Sequence, residues 1–190
     1  DYHLANPLAK FLKKIGFSII SIHQNKIQGG SLRILCKKEK KVYISKVAKK
    51  FLLKESKFMV TKNMKIKFWE KDIKNNLNVI ENYIKKKHLS KKIIVGYGAP
   101  TKATLLMKML NINEDILKYI IDDNRLKVNR FMPSSGIKID GISRLKKNPP
   151  DIMIIFAWNF VSDIIHKLRE KKLGKIEILV PLPIFKKIKL

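Results

Sequence analysis

Three polar clusters in the second half of this chain could do chemistry. They are Gly96-Tyr97-Gly98-Ala99-Pro100-Thr101-Lys102, Asp122-Asp123-Asn124, and Trp158-Asn159. In the first, Gly96 and Gly98 would let the backbone turn tightly and come close to a ligand. The amides that open the next helix would point at an anion, and Lys102 would add a positive charge. Asp122 follows Gly96 by 26 residues, where a dinucleotide-binding unit keeps the acid that meets a ribose hydroxyl. Thr101 stands at the position of the third glycine, so the dinucleotide fingerprint fails at one of its three glycines. The pattern therefore favours a phosphate or ribose over NAD. Structural roles compete for the same residues: Asp122, Asp123 and Asn124 suit a helix cap or an Asx turn, and Asn159 suits the N-cap of the helix after it.

Each cluster sits where a strand ends. From residue 92 the pattern predicts strand "IIVGY", helix "APTKATLLMKML", strand "LKYIIDD" and short strand "GIKID". Strand "DIMIIFAW", helix "NFVSDIIHKLREKKL" and a closing strand "KIEILVPLP" complete the order. Apolar strands alternating with amphipathic helices specify an α/β fold with a parallel sheet covered on both faces. Ligands of such sheets sit beyond the carboxyl ends of the strands, at the point where the strand order reverses. All three clusters fall there.

Upstream, "NPLAKFLKKIG" predicts a helix capped by Asn6, with Pro7 in its first turn, Gly16 at its exit, and Leu8, Phe11, Leu12 and Ile15 on one face. "FSIISIH" and "GGSLRILCKK" predict an antiparallel hairpin. Residues 43–88 are lysine-rich and helical in pattern, with one long helix over 67–88. Phe68, Ile73, Leu77, Ile80 and Ile84 are spaced to face one side of it. The expected organisation is a helix and hairpin over residues 1–40, a helical connector over 41–90, and the sheet domain over 91–190.

Composition excludes several classes. The formal charge is +27, yet only five of the 42 basic residues are arginine. Nucleic-acid readers use arginine, whose planar fork bonds bases and phosphates bidentately. Here the lysines spread along the whole chain among isoleucines and asparagines, as a compositional bias would leave them, so no specific nucleic acid is expected. Cys36 is the single cysteine, which leaves no intramolecular disulfide and no thiolate zinc cluster; no metal is expected. Runs such as "DIMIIFAWNFV" are too short to span a bilayer, and "DYHLANPLAKFLKK" lacks a signal-peptide core. No transmembrane segment and a cytoplasmic location are the expectations.

"IQGGSLRILC", "GYGAPTKATLLM", "IIDDNRLKVNRFMPSSGIKI" and "IMIIFAWNF" occur in this order. In combination they resemble the C-terminal region of the SAM-dependent sugar C-methyltransferases, and the resemblance covers nearly the whole chain. That family methylates a ring carbon of a nucleotide-linked 4-keto sugar. Its members carry a zinc-binding module, a SAM-binding domain and a C-terminal Rossmann-like domain. The resemblance implies that residues 1–40 are the trailing part of the SAM-binding domain and that residues 91–190 are Rossmann-like. It places His3 at the position of the family's proton-handling histidine, although Asp1 and Tyr2 replace residues usual before it. It also implies a nucleotide sugar held by Gly96, Tyr97, Gly98, Ala99, Pro100, Thr101, Lys102, Asp122, Asn124 and Asn159. Asn129 and Ser134 stand where the family tends to have glycine.

On this resemblance SAM is the cofactor of the full-length protein. None is expected to bind this chain alone, which should be inactive without its SAM-binding half. Two other readings remain open: a free-standing nucleotide- or NAD-binding module, and a lysine-rich binder of nucleic acid or anionic surfaces without sequence preference.

Overall fold

Small side chains decide how the first elements meet. A computed structural model describes residues 3–25, 27, 30–58, 63–171 and 173–190, with backbone alone at 58 and 63–68. Two compact units emerge, Asp1–Lys67 and Phe68–Leu190. In the first, helix α1 (Ala5–Lys14) leaves through Gly16, whose φ of +89° is the left-handed exit expected of it. Strands β1 (Phe17–Asn25) and β2 (Ser31–Lys38) pair antiparallel, from Phe17 opposite Lys38 to Asn25 opposite Ser31. Helix α2 (Lys46–Phe58) completes the core of Ala5, Ala9, Ile19, Ile22, Ala48 and Leu52.

Two expectations about α1 need correction. Its buried positions are Ala5 and Ala9, while Phe11 and Ile15 are 56% and 46% exposed. Alanine lets a helix backbone approach its neighbours closely, which the larger side chains would prevent. Nor does Asn6 cap the helix. The cap position is Leu4, which makes no side-chain bond. Instead Glu55 of α2 closes the end, accepting the amides of Ala5 and Asn6 at 2.7 Å each on its two oxygens. The Asn6 side chain donates back to the Leu52 carbonyl at 2.9 Å and to Glu55 at 2.8 Å. Glu55→Ala should therefore lower the stability of this unit by about 2 kcal/mol, as the loss of a charged cap does. Glu55→Gln should cost less. Chemical denaturation followed by circular dichroism checks both, and an unchanged midpoint in Glu55→Ala would refute the cap.

In the second unit, helix α3 (Asn63–Leu89, its start preceding the unit boundary) buries Leu77, Ile80 and Ile84, with Ile73 packed beside them. The expected face is thus present; the Phe68 side chain lies outside the described residues. After α3 come β3 (Ile94–Tyr97), α4 (Thr101–Met109), β4 (Leu117–Ile121), β5 (Ile139–Asp140) and α5 (Arg144–Lys147). The chain ends with β6 (Ile152–Ile155), a 3-10 turn over Trp158–Phe160, α6 (Val161–Glu170), β7 (Glu177–Val180) and β8 (Lys186–Lys189).

These strands form one six-stranded sheet in the order β5-β4-β3-β6-β7-β8. All neighbours are parallel except β8, which pairs antiparallel with β7. Counted from β3, the order is 3-2-1-4-5-6, that of a doubly wound dinucleotide-type sheet. The fold is Rossmann-like, as expected, with one strand more than the pattern predicted. Alternate residues of β3 feed opposite layers: Ile94 joins Leu77, Ile84, Ala103 and Leu106, while Val95 and Tyr97 join Leu145, Ile164 and Leu168. Helices cover both faces of the sheet, which is why β3 and β6 are buried throughout.

Candidate functional site

The chain leaves β3 toward β4 on one side, and later returns to place β6 on the other. The order reverses between β3 and β6, so the turns after these two strands share the carboxyl edge. They touch closely. A Cβ on Gly98 would lie 2.6 Å from the Ala157 Cβ and 3.1 Å from its amide nitrogen, and Gly98 has φ +85°. A Cβ on Gly96 would lie 2.7 Å from the Phe156 ring and 2.9 Å from the Ile120 side chain. Both glycines are therefore explained by packing between the turns and within the core, and their missing side chains leave no room for a ligand. That corrects the reason given for them from the sequence.

The amides of the turn are partly spent as well. Gly98 donates to the Ile121 carbonyl at 2.6 Å, and Ala99 donates to Asp122 Oδ2 at 2.7 Å. Pro100, at the N-cap of α4, has no amide hydrogen and makes no side-chain cap bond. What remains is the start of α4 itself. The amides of Thr101 and Lys102 make no hydrogen bond to a described residue, and no acid occupies the first turn. Beside them the Lys102 ammonium sits 3.8 Å from the centroid of the Trp158 ring. Lys102 makes no salt bridge with a described residue, and burial pushes its ammonium below the usual lysine value. A partly desolvated cation set against an indole face favours an incoming anion.

Asp122 is committed to the fold. Its carboxylate, 11% exposed, accepts the amides of Ala99 at 2.7 Å and Asn124 at 2.8 Å, with Lys127 Nζ 3.5 Å away. Lys127 also donates to the Ala99 carbonyl at 2.9 Å. Together these bonds staple the turn after β3 to the loop after β4. Asn124 makes an Asx turn, its side-chain oxygen accepting the Leu126 amide at 3.0 Å.

The next acid differs. Asp123 is 49% exposed, paired with Lys167 of α6 through one oxygen, and takes the Tyr97 hydroxyl at 2.9 Å on the other. Tyr97 is only 2% exposed. Burial, then the neighbouring Asp123 carboxylate, push its phenol far above the usual tyrosine value. It remains a donor at any physiological pH.

Asn159 lies exposed in the 3-10 turn and does not cap α6; Phe160 holds that position without a side-chain bond. The turn moves the cap position from Asn159 to Phe160, which removes the expected cap. His3 is exposed ahead of α1 in the other compact unit. The structure thus brings Gly96 to Lys102, Asp122, Asn124 and Asn159 to one edge of the second unit, and leaves His3 outside it. Tyr97, Asp123, Lys127 and Lys167 form contacts that sequence spacing missed. Lys127 follows Asp122 closely enough to have been suspected, whereas Lys167 reaches the site only because α6 packs beside β3.

The loop after β4 contains two residues other than glycine with positive φ. Asn129 and Ser134 adopt φ of +65° and +69°, the left-handed conformation that glycine adopts without strain. Among the described residues no three His, Cys, Asp or Glu side chains converge as a metal site would require. No helix among them is long and apolar enough to cross a membrane.

Comparison with known proteins places this geometry in context. A family model described as the C-methyltransferase C-terminal domain matches residues 26–183. A relative, the C-methyltransferase NovU of Streptomyces niveus, is 29% identical over 92 residues. That alignment takes in 48% of this chain and 22% of the relative, so the matched part spans about a fifth of that protein's length. Among solved structures, UDP-D-quinovosamine 4-dehydrogenase from Vibrio fischeri aligns at 20% identity with a TM-score of 0.37, covering 51% of this chain and 93% of that one.

Proposed function

The chain belongs to the family of C-methyltransferase C-terminal domains, and from that premise we propose that it is the substrate-binding part of a SAM-dependent enzyme acting on a nucleotide-linked keto-deoxysugar. The observation that carries the reading is the free start of α4. Two amides that make no hydrogen bond to a described residue, and a Lys102 ammonium set against the Trp158 ring, belong to the helix that starts at the switch point of a Rossmann-ordered sheet. A nucleoside diphosphate is the anion such donors fit.

In this reading Thr101 and Lys102 hold the diphosphate through their amides, and the Lys102 side chain leaves the indole to meet a phosphate oxygen. Trp158 and the exposed Asn159 line the same edge and face the remainder of the ligand. SAM, when bound, supplies an electrophilic methyl group. The glycine turn of this unit does not fit SAM, because Ala157 fills the space over Gly98. We therefore assign SAM to a separate methyltransferase domain, and this chain alone is inactive. His3 keeps its proposed role as the base that takes the proton alpha to the sugar carbonyl, a task suited to an imidazole.

The NAD alternative loses Asp122 as its ribose acid, since that carboxylate is stapled to Ala99 and Asn124.

NMR titration of the chain with thymidine diphosphate and a thymidine diphosphate sugar tests the proposal. Shifts should cluster at Thr101, Lys102 and Trp158 to Asn159. A helix end contributes only about 0.3–1 kcal/mol at exposed sites, so binding should be weak. Lys102→Ala should reduce it about three- to tenfold, as loss of one charge-assisted contact does. Shifts confined to the lysines of α3, with Thr101 and Lys102 silent, would overturn the reading.

A further inference from the structure

The two consecutive acids at the end of β4 have parted roles, and only one of them is available to a ligand. Asp122 is nearly enclosed and already receives two amides, with a lysine close by. Asp123 is half exposed and uses one acceptor position on each oxygen, for Tyr97 and Lys167. A carboxylate offers about four lone-pair sites, so two remain open toward solvent at the carboxyl edge. We propose that Asp123 is the specificity-determining acid of this edge, accepting a hydroxyl of the sugar or ribose of a nucleotide ligand.

Three features fit this role. The carboxylate is oriented in advance, because the buried Tyr97 hydroxyl on β3 and Lys167 on α6 hold its two oxygens from different elements. Lys167 also offsets its charge, so that the acid can stand at an anion-binding edge without repelling a diphosphate. Acids are scarce here, 15 against 42 basic residues, and a ligand combining phosphates with hydroxyls needs both kinds of partner. The hydroxyl bond rests on the nucleotide-sugar reading above, but adds to it a residue, a ligand group and a selectivity.

Four ligands separate the possibilities. Isothermal titration of the chain should compare thymidine diphosphate glucose with thymidine diphosphate, and uridine diphosphate with its 2′-deoxy form. The wild-type protein should favour the hydroxyl-bearing member of one pair about tenfold, as a hydrogen bond to a charged group does. The pair that shows the preference identifies the hydroxyl as belonging to the sugar or the ribose. Asp123→Ala should bring that ratio to about one while leaving diphosphate affinity unchanged or slightly higher, since it uncovers Lys167. If that variant does not fold, Asp123→Asn keeps the shape and should still lower the ratio at least threefold. A ratio unchanged in either folded variant, or no preference in the wild type despite diphosphate binding, overturns this inference alone. No binding of any of the four overturns the nucleotide-sugar reading as well.

Discussion

Replacing Gly98 by alanine should lower the stability of the carboxyl-terminal unit by about 3 kcal/mol. Two costs add. A φ of +85° is strained for any residue with a Cβ, at roughly 1–2 kcal/mol. The new methyl would also stand 2.6 Å from the Ala157 Cβ and 3.1 Å from its amide nitrogen, and overpacking of this kind costs about 1–3 kcal/mol. The backbone of the second turn cannot rotate away as a flexible side chain would. Ala157→Gly in the same molecule should recover the steric part and leave the backbone strain, so the double variant should regain about half the loss. Urea denaturation of the single and double variants measures this. A Gly98→Ala protein as stable as the wild type would mean that the two turns can separate freely. On sequence alone Gly98 would bring the backbone close to a ligand; the contact with Ala157 makes a side chain there a folding lesion first.

The second large effect belongs to Asp122. Asp122→Ala should cost about 2–4 kcal/mol, because it leaves the amides of Ala99 and Asn124 without their acceptor and Lys127 without its carboxylate. Asp122→Asn keeps one acceptor oxygen and should cost about half as much. Protection of the Ala99 amide against hydrogen exchange should fall in both. Nucleotide binding should weaken too, through loss of the turn geometry that aims Thr101 and Lys102. The opposite pattern would be equally clear. Unchanged stability with abolished nucleotide binding would make Asp122 a ligand-facing acid and remove the staple.

Much of this protein can be read from local pattern. The runs "IIVGY", "KYII" and "IMIIFA" are apolar over strand length, and α3, α4 and α6 carry apolar residues at helical spacing. Periodicity of that kind depends only on neighbours along the chain. It was enough to place the parallel sheet, its two covered faces and the edge where the polar clusters gather. The strand β8 was missed because "KKIK" is polar and short. It is an edge strand whose lysines suit solvent, and only pairing with Val180 to Glu177 reveals it. The apolar stripe of α1 misled because the helix packs through Ala5 and Ala9.

What the sequence could not assign was which partner each polar group or missing side chain would meet. Glycine at 96 and 98 announced a constraint, but tertiary packing decided that Phe156, Ile120 and Ala157 impose it. Two aspartates and an asparagine announced a turn or a site. Lys127, Ala99, Tyr97 and Lys167, from four different elements or loops, decided that Asp122 is structural and that Asp123 faces outward. Hydrophobic burial is non-directional and follows local composition, so the sequence alone determined the class of fold. Hydrogen bonds and close packing need particular atoms within a few tenths of an ångström, and for this chain only the assembled sheet brings those atoms together.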